Sequence, residues 1–250
     1  MAESHRSGRR TDVVHERDQC ARPGGTSGTG GHRPPGDLTS AEPAGGLLRD
    51  VPTRRGPARI RVDTPIGEPR SLLVLGHGAG GDIDAPDLEA VAAAVLPFGV
   101  AVVRVTQPYR VAGRRAPAPA NHLDEAWMDV VRSLAPEIPL APEIPLVTGG
   151  RSSGARVACR TAAELGAVGV VALAFPTHPP GRPERTRVDE LPLDRPALVL
   201  NGDRDPFGVP PVVGAMTLHV LPGADHSLKK STGAAAALVL AWLRAHGWAA

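Results

Sequence analysis

Cysteine is nearly absent from this chain of 250 residues, which has only Cys20 and Cys159, far apart in the sequence. That excludes a disulfide-stapled scaffold, and no Cys/His spacing matches a metal site, so neither a metal nor any other cofactor is expected. Aromatic residues are scarce too, with one Tyr, three Phe and three Trp. A surface so poor in stacking platforms, together with a net charge of only +2, argues against nucleic-acid binding and against an acidic polymer as partner. No apolar run approaches the ~20 residues that span a bilayer, and the N-terminal stretch lacks the continuous apolar segment of a secretory signal. The expectation is a soluble, cytoplasmic protein with no membrane partner.

Glycine and proline, by contrast, are abundant, at 29 and 27 residues. The first 45 or so residues are rich in both, and in Arg, Ser and Asp, and show no apolar periodicity, as in Arg22-Pro23-Gly24-Gly25-Thr26-Ser27-Gly28. Residues 1–48 therefore read as a disordered tail and 49–250 as one folded domain with enough apolar content for a sizeable core. Residues 1–60 hold ten Arg against seven Asp plus Glu, which leaves residues 61–250, most of the folded part, near neutral with eighteen basic and nineteen acidic residues.

Within that domain, Gly150-Arg151-Ser152-Ser153-Gly154 fits G-x-S-x-G. The pattern suits a nucleophilic serine on a sharp strand-to-helix turn, because small residues two before and two after let the backbone bend without clashing. In so glycine-rich a chain the pentapeptide alone is weak evidence, and its surroundings decide. Upstream, Pro145-Leu146-Val147-Thr148 reads as a short buried strand; downstream, Ala155, Val157, Ala158, Ala162 and Leu165 recur at helical spacing.

A serine nucleophile needs a base to take its proton and an acid to orient that base. The strand-like run Ala197–Leu200 leads into Asn201-Gly202-Asp203-Arg204-Asp205-Pro206, and Leu218–Leu221 leads into Pro222-Gly223-Ala224-Asp225-His226. Asp205 and His226 are the candidates, and the order Ser, Asp, His is that of an α/β-hydrolase fold. Asp203 and Asp225 are rivals for the acid, and His77, His178 and His219 for the base. Asp203 reads as a turn former at a strand exit. Asp225 adjoins His226 on a loop where neighbours tend to point apart, and His219 sits inside a strand pattern as a packing residue.

An oxyanion hole would complete the set. Leu72-Leu73-Val74-Leu75 reads as a strand followed by the loop Gly76-His77-Gly78-Ala79-Gly80-Gly81. In this fold one donor is the amide after the nucleophile, here Ser153, and the second comes from the loop after an earlier strand, for which Ala79 is the candidate. The same loop spells G-x-G-x-x-G, so a dinucleotide-binding reading competes. That reading needs a carboxylate about 20 residues on for the ribose, whereas the next strand ends in Thr106-Gln107-Pro108. It also leaves Ser152, Asp205 and His226 unexplained.

Strands are expected near 58–62, 71–75, 100–105, 168–174, 197–201 and 216–221, with helices near 85–96, 121–134 (started by Asn121 or Asp124) and 232–246. Such alternation predicts a mostly parallel sheet with helices on both faces and a site at the carboxyl ends of its strands. Ala135–Leu140 and Ala141–Leu146 are the same hexapeptide, Ala-Pro-Glu-Ile-Pro-Leu; the first copy reads as an inserted surface loop and only the second can feed the nucleophile strand. Residues 176–196, where this fold often inserts a lid, are too few and too Pro-rich for a large cap domain, which predicts an open site.

Further stretches carry a family resemblance. These are His77-Gly78-Ala79-Gly80-Gly81, Pro108-Tyr109-Arg110 with Gly113-Arg114-Arg115, Gly149-Gly150-Arg151-Ser152, His178-Pro179-Pro180-Gly181, Gly202 with Asp205-Pro206-Phe207-Gly208, and Gly223 to His226. In that order, across about residues 70 to 230, the chain resembles the small α/β-hydrolase-like family of KANL type. That group includes the testis-expressed hydrolase-like protein and the hydrolase-like domain of an NSL-complex subunit, and is related to dienelactone hydrolases. The resemblance implies Ser152 as nucleophile, Asp205 as acid and His226 as base. The chain departs from it at Ser153, where Met is usual, and at Gln107, where an aromatic residue is usual. His77, Tyr109, Arg110 and His178 are candidates to line the site; for Tyr109 and Arg110 a core plug and an ion-pairing residue are equally open readings. The expected activity is that of a carboxylesterase-like serine hydrolase acting on a small-molecule acyl substrate, an ester or thioester. The alternatives are a catalytically silent scaffold that binds a protein partner, a peptidase, or a dienelactone-type hydrolase, the last usually relying on a Cys nucleophile that is absent here.

Overall fold

Short apolar runs bounded by glycine and proline become strands, and amphipathic runs become the helices that cover them. The structure, a computed structural model, describes residues 46–134 and 144–250. In chain order they form β1 (Leu47–Val51), β2 (Ala58–Asp63), β3 (Ser71–Gly76), α1 (Pro86–Val95), β4 (Val100–Thr106), α2 (Pro108–Val111), α3 (Ala120–Ser133), β5 (Leu146–Arg151), α4 (Ser153–Thr161), β6 (Gly169–Leu173), β7 (Ala197–Gly202), β8 (Met216–Leu221) and α5 (Thr232–Ala245).

The strands make one sheet of eight, in the order β1-β2-β4-β3-β5-β6-β7-β8. β1 and β2 are antiparallel, as are β2 and β4, and every other pairing is parallel. A parallel sheet needs cover on both faces, and side-chain alternation divides its residues accordingly. Leu72, Val74, Val170, Ala172, Ala197 and Val199 pack with Trp127 and Val130 of α3 and with Ala155 and Ala158 of α4. Leu73, Leu75, Val171, Leu173, Leu198 and Leu200 pack on the other face with Leu88 and Val91 of α1 and Val239 and Leu243 of α5. This is the expected α/β-hydrolase architecture. Between β6 and β7 the only helical turn is the 3-10 segment Val188–Glu190, so no cap domain is inserted between these strands.

Several sequence expectations need correction. β1 was not expected, and its first residues, Leu47 and Leu48, belong to the segment read as tail; they pair with Val62 and Arg61 of β2, and the rest of that tail through residue 45 lies outside the described residues. α3 starts at Ala120 behind Pro119 with no side-chain cap. Neither proposed start signal acts as one, because Asp124 is engaged by Arg160 of α4 through two hydrogen bonds of 2.8 and 2.6 Å. α2 is a single turn seeded by Pro108, too short for a periodicity to reveal. The first hexapeptide copy, Ala135–Leu140, lies outside the described residues; β5 begins at Leu146, the last residue of the second copy.

Cys159 is buried in α4, and burial pushes its thiol up to about 12. The nucleophile is the thiolate, so iodoacetamide at pH 8 should modify Cys159 only after unfolding. Rapid labelling at this position in the native protein, read by peptide mass mapping, would contradict the packing of α4.

Candidate active site

Ser152 sits between β5 and α4 with φ 51° and ψ −110°, a conformation that strains a residue with a Cβ by about 1–3 kcal/mol. Its amide is held by the carbonyl of Leu173 at the end of β6, 2.9 Å away. The two glycines of the motif exist for the close approach of β3. A Cβ on Gly150 would lie 2.4 Å from the Gly76 carbonyl oxygen, and one on Gly154 would lie 2.3 Å from the same atom. The elbow is therefore pressed against the strand that carries the glycine loop.

The loops after β7 and β8 bring Asp205 and His226 to this turn. His226 Nε2 is 2.9 Å from Ser152 Oγ, and Nδ1 is 2.8 Å from Asp205 Oδ2. The Asp205 side chain has no solvent exposure, whereas that of His226 retains 21%. Asp205 Oδ1 accepts the Phe207 amide at 2.8 Å, so both carboxylate oxygens are committed. With Nδ1–H donating to Asp205, Nε2 is free to accept the serine hydroxyl proton.

The loop after β3 is fixed mostly through its carbonyls. Gly78 O accepts the Gly81 amide at 3.0 Å, closing a turn, and also accepts from His77 Nδ1 at 2.7 Å. His77 Nε2 accepts the Gln107 amide at 3.1 Å. His77 is 2% exposed; burial lowers its pKa, and its two bonds, one given and one accepted, suit the neutral ring. Tyr109 donates its hydroxyl to Ala79 O at 2.7 Å, and Arg110 Nε donates to Gly81 O at 2.9 Å. Burial pushes the Tyr109 phenol up to about 12, so it remains a donor. His77, Tyr109 and Arg110 thus brace the loop instead of offering free groups to a substrate. Among the described residues, neither the Ala79 amide nor the Ser153 amide donates to another protein group.

His178 is half-buried, with Nδ1 2.9 Å from Pro179 O and its ring 6.4 Å from that of Phe207, which in turn meets His226 edge-on at 4.4 Å. The rivals are occupied elsewhere. Asp203 accepts the Gly223 amide at 2.7 Å as a turn former. Asp225 caps its own loop through Ser227, whose hydroxyl also holds the carboxyl below its usual range. His219 lies on β8. The dinucleotide reading lacks its geometry: α1 begins at Pro86, five residues beyond Gly81, so no helix N-terminus opens from the glycine loop.

Three contributors escaped sequence reasoning. Arg151 donates from Nε to Asp87 Oδ2 and from Nη2 to the His226 carbonyl, both at 2.7 Å. Phe207 packs on the imidazole. Asn201, fully buried at the end of β7, bonds both the amide and the carbonyl of Phe175 and the carbonyl of Gly208, each at 2.9–3.0 Å. It ties the β6 exit to the loop of Asp205, and a polar residue ending an apolar strand was the available signal. Among the described residues no group of three or more His, Cys, Asp or Glu side chains is placed to hold a metal, and no helix is long and apolar enough to cross a membrane.

No curated protein matches the sequence. Solved structures similar in fold include a serine hydrolase without a lid, XC6422 from Xanthomonas campestris, at 20% identity and TM-score 0.66 over 82% of this chain and 96% of that one. Est1E from Butyrivibrio proteoclasticus aligns at 16% identity and TM-score 0.64 over 80% and 98%, and another structure of it contains bound ferulic acid. Dienelactone hydrolase from Anabaena variabilis aligns at 17% identity and TM-score 0.63 over 80% and 97%. A family profile described as an alpha/beta hydrolase domain matches residues 69–242, well over half of the sequence, and the protein belongs to that family.

Proposed function

We propose that the protein is a serine hydrolase of carboxylesterase type, cleaving a small ester or thioester through an acyl-Ser152 intermediate. The observation that carries this reading is the continuous hydrogen-bonded chain from Ser152 Oγ through His226 to the buried Asp205, at 2.9 and 2.8 Å. Ser152 Oγ attacks the acyl carbonyl while His226 Nε2 takes its proton, and Asp205 stabilises the imidazolium. The amides of Ser153 and Ala79 hold the oxyanion; each such donor is worth about 3–4 kcal/mol of transition-state stabilisation. Collapse breaks the bond to the alcohol or thiol, which leaves with the proton from Nε2. Water, deprotonated by the same nitrogen, then releases the acid and restores Ser152.

The half-buried Ser152 and the absence of an inserted cap domain between β6 and β7 favour a small or exposed acyl group. Est1E with its bound ferulic acid supports a small acyl substrate by analogy of fold. A fluorophosphonate should add once to the wild-type protein and not to Ser152→Ala, as read by intact mass. Absence of an adduct on folded wild type would remove the hydrolase mechanism and leave a silent scaffold.

A further inference from the structure

We propose that Arg151 is a positioning residue: anchored to Asp87, it holds the loop of His226 at the distance at which Nε2 meets Ser152. The inference rests on the hydrolase reading above and assigns a task to Arg151, the residue directly before the nucleophile. Arg151 ends β5, and its side chain passes over the glycine loop, where a Cβ on Gly78 would lie 2.7 Å from Nη1. From there the guanidinium divides. Nε meets Asp87 Oδ2 and Nη2 meets the His226 carbonyl, both at 2.7 Å.

The two ends differ in rigidity. Asp87 is 1% exposed in the first turn of α1, a helix locked into the core by Leu88 and Val91. His226 lies on the loop after β8, is partly exposed, and needs its imidazole aligned to both Ser152 and Asp205. Its side chain is oriented by Asp205, but that bond does not fix the backbone from which the ring hangs. The bond from Arg151 to the backbone carbonyl does. A buried ion pair is weak evidence for stability in itself, and an ion pair that served packing alone would have no use for the second bond to the residue carrying the base. The planar fork of arginine suits this double task, because its donors diverge at fixed angles.

Arg151→Lys and the double variant Asp87→Leu/Arg151→Met test the assignment in the full-length protein. The lysine keeps a cation for Asp87 but loses the fork. The double variant removes both charges, so no lone carboxylate is left buried. The readouts are the second-order rate of fluorophosphonate addition to Ser152 and amide hydrogen exchange over 222–231. Labelling should slow about 10- to 100-fold in both, since a displacement near 1 Å costs about 10²-fold, with faster exchange in the loop. A purely structural ion pair predicts wild-type labelling in Arg151→Lys, and a rate within twofold of wild type in that variant overturns the proposal even if the double variant fails to fold. Should wild type itself take no label, the hydrolase reading falls and exchange decides the tie: protection of 222–231 unchanged in Arg151→Lys overturns it.

Discussion

Asp205→Asn is expected to lower the rate of fluorophosphonate labelling, and kcat on any short ester that proves a substrate, by about 10⁴-fold with little change in the fold. The reason lies in the two acceptor roles of this carboxylate. Oδ1 receives the backbone amide of Phe207 and Oδ2 receives Nδ1–H of His226, each at 2.8 Å. A carboxamide has one oxygen to offer, and the Phe207 amide cannot turn away or lose its proton. The imidazole can move its proton to Nε2 without structural change, so the amide keeps the oxygen and Nδ1 faces an NH₂ group. Nε2–H then points at Ser152 and can no longer accept its proton. The loss corresponds to about 5 kcal/mol. A decrease of less than tenfold would show that His226 is not oriented through Asp205.

That Ser152, Asp205 and His226 would meet was legible because each follows a short apolar run that reads as a strand of a parallel sheet, and such sheets gather the residues after their strands at one end. Local pattern carried that much. The support of the site was not legible, since Arg151 meets Asp87 64 residues away and His226 75 residues away. No periodicity encodes such pairings. The same limit explains the lining residues: His77 stands in the glycine loop as a candidate to line the site, and for Tyr109, just after β4, site lining and a core plug were equally open; the structure turns both inward to brace the carbonyls of Gly78 and Ala79. β1 escaped because Leu47-Leu48-Arg49-Asp50-Val51 is an edge strand with one fully buried residue, Val51. Edge strands show little apolar alternation when so little of them meets a core.

Gly154→Ala sets two magnitudes against each other. Gly154 lies in the first turn of α4, where helix propensity alone favours alanine by up to about 1 kcal/mol. The new Cβ would sit 2.3 Å from the Gly76 oxygen, 2.4 Å from the Gly76 carbonyl carbon and 2.8 Å from the His77 oxygen. All three are backbone atoms, two of Gly76, which closes β3, and one of His77 in the glycine loop, so relief requires the strand end and the elbow to separate. Overpacking of this kind costs about 1–3 kcal/mol or more, which outweighs the propensity gain, and the variant should be less stable in urea. The separation also moves the Ala79 and Ser153 amides relative to Ser152 Oγ, and a shift near 1 Å should slow labelling about 10²-fold. Gly233→Ala in the first turn of α5, where nothing lies within 4 Å, is the matched comparison: it should keep wild-type labelling and gain up to about 1 kcal/mol of stability from propensity alone. A Gly154→Ala protein as stable and as reactive as wild type would mean that β3 does not press on the elbow, and would withdraw the oxyanion site assigned between them.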